Sequence, residues 1–380
     1  AACRDKRIVT SGGTTYKALV VPGARLMPAD VLAKLLDLAK EGATVVFLDQ
    51  YPEDVPGYAG LERRRTEFKR TLEQIKKLGN ERGKDQTVFF GTDYARTLAQ
   101  TAAIPEAMKT SFDLSCIRRK NTEGYHYFIS ALTGKDTESW IPLAVPARSA
   151  MLYNPMNGAS GKALLRQKDG KTEVYLQLAS GESAILKTFT EADVQVPEWK
   201  YQTVAQGTVE LSGLWSLRFV ESAPAVHSVP DSVSLGSWTD LSFEGAGTTM
   251  GTGCYTTAFV IENPASAQDW QLSLGDVRES ARVRINGREV ATLWAVPYCC
   301  PIGQYLRPGK NILEIEVTNL PANRIADMDR RGVKWRIFKD INIAALGYKK
   351  GTYAGWEPVP SGLLGPVRII PLKITKNEMQ

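Results

Sequence analysis

The side chains that could do chemistry are concentrated in one segment towards the C-terminal end of the chain. Residues 319–363 show little periodic pattern, and a stretch of this kind in a compact domain is commonly functional. The segment holds charged and aromatic residues together: Arg324, Asp327, Asp329, Arg330, Trp335, Tyr348, Tyr353 and Trp356. Sugar rings stack their C–H faces on aromatic side chains, while charged groups bind the hydroxyls. The composition of this segment therefore predicts a carbohydrate-binding site.

The predicted carbohydrate contacts come from two parts of the chain. They are Arg278, Trp294, Tyr298, Arg324, Trp335 and Trp356. The first three lie near the ends of predicted strands, and the last three lie in the aperiodic segment. A tryptophan in a β-sandwich commonly packs in the core, which is the alternative for the two tryptophans of the segment.

Asp327 and Asp329 are candidate metal ligands. Carboxylate oxygens are the ligands that Ca²⁺ prefers, so the Asp-x-Asp pair is a candidate Ca²⁺ site. The alternative is that both are ordinary surface acids. No other cofactor is predicted.

The acidic residues do not predict a catalytic pair. Glycoside hydrolysis normally uses two carboxyl groups that face each other across a cleft. Asp276 and Glu279 are close in sequence, but residues three apart at the start of a strand would point apart. Arg278 and Arg282 offer them ion-pair partners. We therefore expect these acids to hold a turn, and we predict no catalytic residue.

Composition excludes several classes of protein. The 380 residues are 43% hydrophobic and 23% charged, which is typical of folded globular chains. No apolar run approaches the roughly 18 residues of a membrane-spanning helix, so no membrane span is predicted. The net charge of +6 is spread along the chain without a basic stripe, so no nucleic-acid partner is predicted. The five cysteines and two histidines show no zinc-ligand spacing.

The first part of the chain predicts a partial parallel α/β layer. Short apolar strands are indicated at residues 17–21, 43–48 and 88–90, with amphipathic helices between them. Pro28 fits the first position of one helix, and Gly42 fits the position after its end. We assign residues 1–110 to this domain, of flavodoxin or amidotransferase type.

Beyond residue 110 the hydrophobic period changes from 3.6 to 2, which is typical of β-strands. Residues 111–190 are predicted to form a small β-sandwich, and residues 191–207 a linker. Residues 208–380 predict seven or eight antiparallel strands in a jelly roll. Asn286-Gly287 indicates a type I′ hairpin between two of them. The predicted fold class is therefore multidomain, α/β followed by all-β.

Several motifs of the last domain carry a resemblance. They are LSGLW at 211–215, GCYTTAF at 253–259, LGDVRESARV at 274–283, VRINGREV at 283–290, WAVPY at 294–298, and the stretch 306–318. In this order they resemble the galactose-binding-like, sugar-binding jelly roll of glycoside hydrolase family 2. The chain departs from that pattern at Gly303, where the resemblance leads us to expect an acidic residue.

A second resemblance covers most of the chain. NLPANR at 319–324 and SGLLGPV at 361–367 are similar to the C-terminal part of glycoside hydrolase family 106, the α-L-rhamnosidase family. Residues 16–48 resemble the α/β domain that precedes it there, and residues 153–158 the intervening β-domain.

The resemblance implies a non-catalytic C-terminal part of an α-L-rhamnosidase-like glycoside hydrolase. The catalytic barrel of such proteins lies upstream, so we expect a missing upstream catalytic domain as one partner and a rhamnose-containing glycan as another. The resemblance also implies a periplasmic or secreted enzyme for polysaccharide degradation. Two alternatives stay open: a purely structural accessory module without ligand, and a fragment with residual glycosidase activity.

Overall fold

The computed structural model describes residues 1–81, 83, 85–101, 103–336 and 351–375. Over these residues the chain is mainly β-structure, with several sheets and five α-helices. It forms two compact units. The first comprises Ala1–Asp113, Trp140–Pro146 and Arg166–Val174, and the second Leu114–Ser139, Ala147–Leu165 and Tyr175–Gln380. In the described part of the chain, none of the helices has the length and apolar character needed to span a bilayer.

The first unit contains a small parallel sheet flanked by helices. Its elements are β1 (Ala2–Arg4), β2 (Arg7–Val9), β3 (Thr15–Tyr16), β4 (Ala18–Val21), α1 (Ala29–Lys40), β5 (Thr44–Leu48), α2 (Leu61–Asn80), β6 (Val88–Gly91), α3 (Tyr94–Leu98) and α4 (Ala107–Ser111). Strands β4, β5 and β6 pair in parallel in that order. Val45 and Phe47 pack with Phe68 and Ile75 of α2, whereas Val46 packs with Leu98 of α3. Both faces of β5 are therefore buried, which explains its continuous apolar sequence.

The next elements form two antiparallel arrangements. They are β7 (Ser115–Lys120), β8 (Gly124–Ser130), β9 (Thr137–Pro142), β10 (Ser149–Tyr153), β11 (Ser160–Lys162), β12 (Leu165–Lys168), β13 (Lys171–Leu178) and β14 (Ser183–Phe189). One sheet has the order β11-β10-β14-β8-β7, and a second has the order β12-β13-β9. Alternate residues of the five-stranded sheet, such as Tyr127, Leu152 and Leu186, are buried.

The C-terminal elements form two larger antiparallel sheets around one core and a separate two-stranded sheet. They are β15 (Tyr201–Val204), β16 (Val209–Glu210), β17 (Ser216–Ala223), β18 (Met250–Ile261), β19 (Asp269–Ser273), β20 (Asp276–Arg278), β21 (Ser280–Ile285), β22 (Arg288–Leu293), β23 (Cys299–Pro301), β24 (Gly309–Thr318), α5 (Ala322–Arg330), β25 (Gly362–Gly365) and β26 (Arg368–Thr375). One larger sheet is β17-β18-β24-β21-β22, and the other is β15-β26-β19-β23 with β16 beside β26, while β20 and β25 pair as the two-stranded sheet. Trp215, Leu272, Ile315 and Ile369 belong to the shared core.

Two local features hold this region together. The Asn286-Gly287 hairpin between β21 and β22 is confirmed, with both residues at positive φ. In the core, the Trp238 indole N–H donates to the Tyr255 hydroxyl at 2.6 Å, and this hydroxyl also accepts the Leu363 amide at 3.2 Å. The second contact attaches the chain entering β25 to the sheet that contains β18.

Candidate functional site

The aperiodic segment leaves and rejoins the C-terminal sheets at one buried polar network. The Asn319 side-chain amide donates to the Thr249 carbonyl at 3.1 Å and to the Ser361 hydroxyl at 3.0 Å. On α5, the Asn323 side chain exchanges two hydrogen bonds of 2.8 Å with the backbone of Val359. Asn319, Asn323 and Ser361 are all buried. Buried amide and hydroxyl groups need partners, so this network fixes both ends of the segment.

The side chain of Asp329, in the last turn of α5, joins the two described arms of the segment. One carboxylate oxygen accepts the Trp335 indole N–H at 2.6 Å. The other accepts the Tyr353 amide at 2.8 Å and the Thr352 hydroxyl at 3.2 Å, and it lies 3.5 Å from the Arg336 guanidinium. These donors lower the pKa of Asp329, chiefly the Tyr353 amide and then the Trp335 indole. The carboxylate is therefore ionised at neutral pH and holds Tyr353, which lies 24 positions further along the chain.

Three rings and one guanidinium form a continuous group beside Asp329, which we call the aromatic cluster: Trp335, Arg336, Tyr353 and Trp356. The Tyr353 and Trp356 ring centroids are 4.5 Å apart, and those of Trp335 and Tyr353 are 6.2 Å apart. The Arg336 guanidinium lies 5.2 Å from the Trp335 ring centre and 5.0 Å from that of Tyr353. Trp356 is 49% exposed. The aromatic cluster therefore presents an accessible ring with a cation close by.

The two candidate metal ligands have protein partners instead. Asp327 pairs with Arg324 at 3.1 Å and with Arg331 at 3.5 Å. Asp329 accepts the donors given above. Within the described ranges, no group of three or more histidine, cysteine, aspartate or glutamate side chains is placed to hold a metal ion. These contacts give both acids a structural role.

A second charged group lies where β20 meets β21. Arg278 pairs with Asp276 at 2.7 Å, and both side chains are about two-fifths exposed. The Tyr298 hydroxyl donates to the carbonyl of Glu279, the residue after Arg278, at 2.6 Å. Tyr298 is buried, however, and its ring belongs to the core. Trp294 is 64% exposed.

The structure therefore brings some of the predicted site residues together and separates others. Trp335 and Trp356 each contact the ring of Tyr353. Arg324 lies on α5, the helix that carries Asp329, and pairs with Asp327 of that helix. Arg278 and Tyr298 lie near a different turn. Among the described residues, no hydrogen bond or ring contact links Trp294 to either group. Tyr348 lies outside the described residues.

Two members of the aromatic cluster were not among the predicted contacts. Tyr353 belongs to the aperiodic segment without a predicted contact of its own, and Arg336 is outside the predicted set. The only sequence signal for these two residues is that aromatic and basic residues occur together in this segment. It becomes informative once Asp329 is seen to connect residues 335–336 with residues 352–353.

Comparison with known proteins finds similarity to glycoside hydrolases. Residues 1–167 match the family model of glycoside hydrolase family 106, alpha-L-rhamnosidase. The predicted resemblance to glycoside hydrolase family 106 is confirmed. The family match lies at the opposite end of the chain from the motifs of the last domain.

Two individual proteins extend the comparison. A rhamnosidase structure from Novosphingobium sp. PP1Y aligns with 97% of this chain at a TM-score of 0.61 and 22% identity, which supports a shared fold. A Formosa agariphila protein described as a "putative beta-glucuronidase" is 31% identical over 179 residues, or 42% of this chain. The chain spans 35% of the length of the rhamnosidase and 15% of that of the Formosa protein. The chain is thus similar to rhamnosidase-like and glucuronidase-like glycoside hydrolases over a minor part of their length.

Proposed function

We propose that this chain is a non-catalytic accessory region of an α-L-rhamnosidase-like glycoside hydrolase, and that its aromatic cluster binds carbohydrate. The observation that carries the proposal is the exposed Trp356 ring, which packs at a tilt of 49° against the ring of Tyr353, a residue whose backbone amide is held by Asp329. We further propose that the C-terminal sheets form the family 2 type of sugar-binding jelly roll. Action on external glycans would place the parent enzyme in the periplasm or outside the cell.

The arrangement of the aromatic cluster supports carbohydrate binding. A sugar stacks well on an aromatic ring whose orientation is already fixed, because less side-chain entropy is then lost on binding. Trp335 is held by its bond to Asp329, and Tyr353 by its backbone contact to the same carboxylate. The Arg336 guanidinium donates to the Gly351 carbonyl at 2.8 Å. It has further N–H groups with which to bind hydroxyls.

The carboxyl groups support an accessory rather than a catalytic role. A glycosidase acid needs a raised pKa and a second carboxylate across a cleft. Burial, and to a smaller extent the charge of Asp136, raises the pKa of Glu182, but the Glu182 carboxylate accepts the Ala179 amide at 2.8 Å in the turn between β13 and β14. Asp276 is paired with Arg278. Both acids therefore stabilise turns.

Calorimetric titration with rhamnose-containing oligosaccharides tests the binding part of the proposal. We expect millimolar or tighter binding by the chain, and a loss of about tenfold for Trp356→Ala, since stacking of this kind contributes on the order of 1 kcal/mol. Tyr58→Ala, a change of an aromatic residue that is 92% exposed in the first unit, is the matched control and should bind normally. Absence of binding at millimolar concentration would contradict the proposal and favour a purely structural module.

An assay on aryl glycosides tests the non-catalytic part. We expect no hydrolysis by this chain alone. Hydrolysis that disappears in Glu182→Gln or Asp276→Asn would instead assign residual glycosidase activity to the chain.

A further inference from the structure

The five-stranded sheet of residues 115–189 has an outer face that the proposed function does not use. Its strand register is β11-β10-β14-β8-β7. Side chains directly opposite each other in neighbouring antiparallel strands point to the same face. The alternate set, which includes Tyr127, Leu152 and Leu186, is buried, so the remaining set faces outward.

An apolar row crosses four strands of this outer face. Ile117 of β7 pairs with Phe128 of β8, Phe128 with Ile185 of β14, and Ile185 with Tyr153 of β10. Ile117 is 65% exposed and Phe128 is 45% exposed, while Ile185 and Tyr153 are half-buried. Large apolar side chains aligned and exposed in this way are typical of a binding surface.

A basic row runs beside the apolar row. Arg119 pairs with His126, His126 with Lys187, and Lys187 with Met151, which faces Lys162 of β11. The described strands β7, β8, β14, β10 and β11 place no aspartate or glutamate on this face. Its charge therefore complements an anion.

The acids near this face come from the flanking loops. Glu123 contacts Lys187 at 2.6 Å, and Asp193 contacts Lys162 at 2.7 Å. Both acids are about half exposed, so solvent screens these pairs and a competing anion can replace them at little cost. The side chain of Arg119 makes no hydrogen bond or ion pair with the described residues. Its five N–H donors are free to bind a carboxylate.

We propose that this outer face binds an acidic polysaccharide, a chain of carboxylate-bearing sugars that runs across the strands. The apolar row offers one side chain at every strand, and strands lie about 4.8 Å apart, a spacing similar to the length of one sugar unit. Phe128 and Tyr153 stack with sugar rings, while Arg119 and Lys187 bind carboxylates. This surface is distinct from the aromatic cluster, and the inference does not depend on the function proposed for that cluster.

Titration with oligogalacturonate, an acidic sugar chain, tests this surface. The neutral probe is the same oligosaccharide with its carboxylates methyl-esterified. We expect the chain to bind the acidic form at least about tenfold more tightly than the ester. Raising NaCl from about 0.05 M to about 0.5 M should weaken binding of the acidic form, because exposed charges are screened at high salt.

Two substitutions locate the binding. Phe128→Ala should weaken acidic-oligosaccharide binding about tenfold, and Arg119→Gln at least about threefold. Arg63→Gln, at an exposed arginine of α2, is the matched control for charge and should not change it. Trp356→Ala should also leave it unchanged. Circular dichroism spectra identical to that of the unsubstituted chain establish that each variant is folded.

Four results would overturn the proposal. They are no binding of the acidic form, equal binding of the two forms, binding that Phe128→Ala and Arg119→Gln leave intact, and concentration-dependent self-association that Phe128→Ala abolishes. The last result would assign the face to a second copy of the chain instead.

Discussion

The aromatic cluster and the outer sheet face place ring and cationic side chains together by different means. In the aromatic cluster, the Asp329 carboxylate on α5 accepts hydrogen bonds from residues in two arms of the aperiodic segment. On the sheet face, the register of five strands aligns the side chains, and no single contact holds the row. A surface that depends on one hydrogen-bonding residue should lose most of its affinity for ligand when that residue is replaced. A surface built on register should lose affinity gradually, residue by residue.

The largest expected effect on stability is at a turn beside the sheet that carries this face, where the turn contacts the C-terminal region. Gly181, between β13 and β14, has φ +90°, and a Cβ there would lie 2.6 Å from a methyl of Val296 and 2.8 Å from its carbonyl oxygen. We expect Gly181→Ala to lower the free energy of unfolding by about 3 kcal/mol, because backbone strain and overlap add. Urea denaturation measures this change.

Gly170→Ala is the matched control for this prediction. Gly170 also has positive φ, at +71°, but no atom lies within 4 Å of its added Cβ. The expected loss is about 1 kcal/mol, the cost of the left-handed backbone alone. Equal losses in the two variants would show that Val296 moves aside without cost and that the overlap does not add to the backbone strain.

The next largest effect is expected from Asp329→Ala. It removes the acceptor shared by Trp335, Thr352 and Tyr353, so the rings lose their fixed arrangement. Affinity for rhamnose-containing oligosaccharides should fall at least about tenfold, with a shift in tryptophan fluorescence. Asp327→Ala is the control, since Asp327 lies on the same helix and contacts Arg324 and Arg331 instead. A similar loss in both variants would contradict the central role of Asp329.

A pH titration sharpens the same comparison. The pKa of Asp329 is lowered from its ordinary value of 3.8, so its contribution to stability is complete above that value and is lost as the pH falls through the lower, folded pKa. We expect the near-ultraviolet circular dichroism signal of the aromatic cluster to be constant from about pH 7 to about pH 5 and to decrease below about pH 4. Asp329→Asn should remove this transition. A transition that persists in the Asn variant would assign it to other carboxylates.

The smallest effect is expected at Glu123. Its ion pair with Lys187 is exposed, so Glu123→Gln should change the free energy of unfolding by less than about 0.5 kcal/mol. The substitution leaves Lys187 available, and affinity for oligogalacturonate should rise about twofold, as isothermal titration would show. A decrease in affinity would mean that Glu123 itself contacts the ligand.

Local sequence signals predicted individual elements well. Pro28 and Gly42 bracket α1, which spans Ala29–Lys40, and the Asn286-Gly287 turn connects two paired strands. These signals depend on backbone conformations of a few neighbouring residues. Helix caps and two-residue turns can therefore be identified from the sequence without knowledge of the fold.

The sites depend on contacts that local signals do not contain. Asp329 was a candidate Ca²⁺ ligand by sequence, because nothing near it shows that Tyr353 supplies a donor from 24 positions away. Tyr298 was a predicted sugar contact, yet packing of the two C-terminal sheets buries its ring. The row from Ile117 to Tyr153 can be recognised only when the strand order is known. Tertiary pairing, rather than residue type, determines each of these roles.

The polar network of Asn319, Asn323 and Ser361 has a consequence for how this protein can diversify. A hydrogen bond of 3.0 Å between Asn319 and Ser361, and two of 2.8 Å between Asn323 and the Val359 backbone, fasten the two ends of the aperiodic segment to each other. We therefore expect a chimaera that carries a foreign segment between residues 331 and 358 to keep these contacts at both ends and to fold.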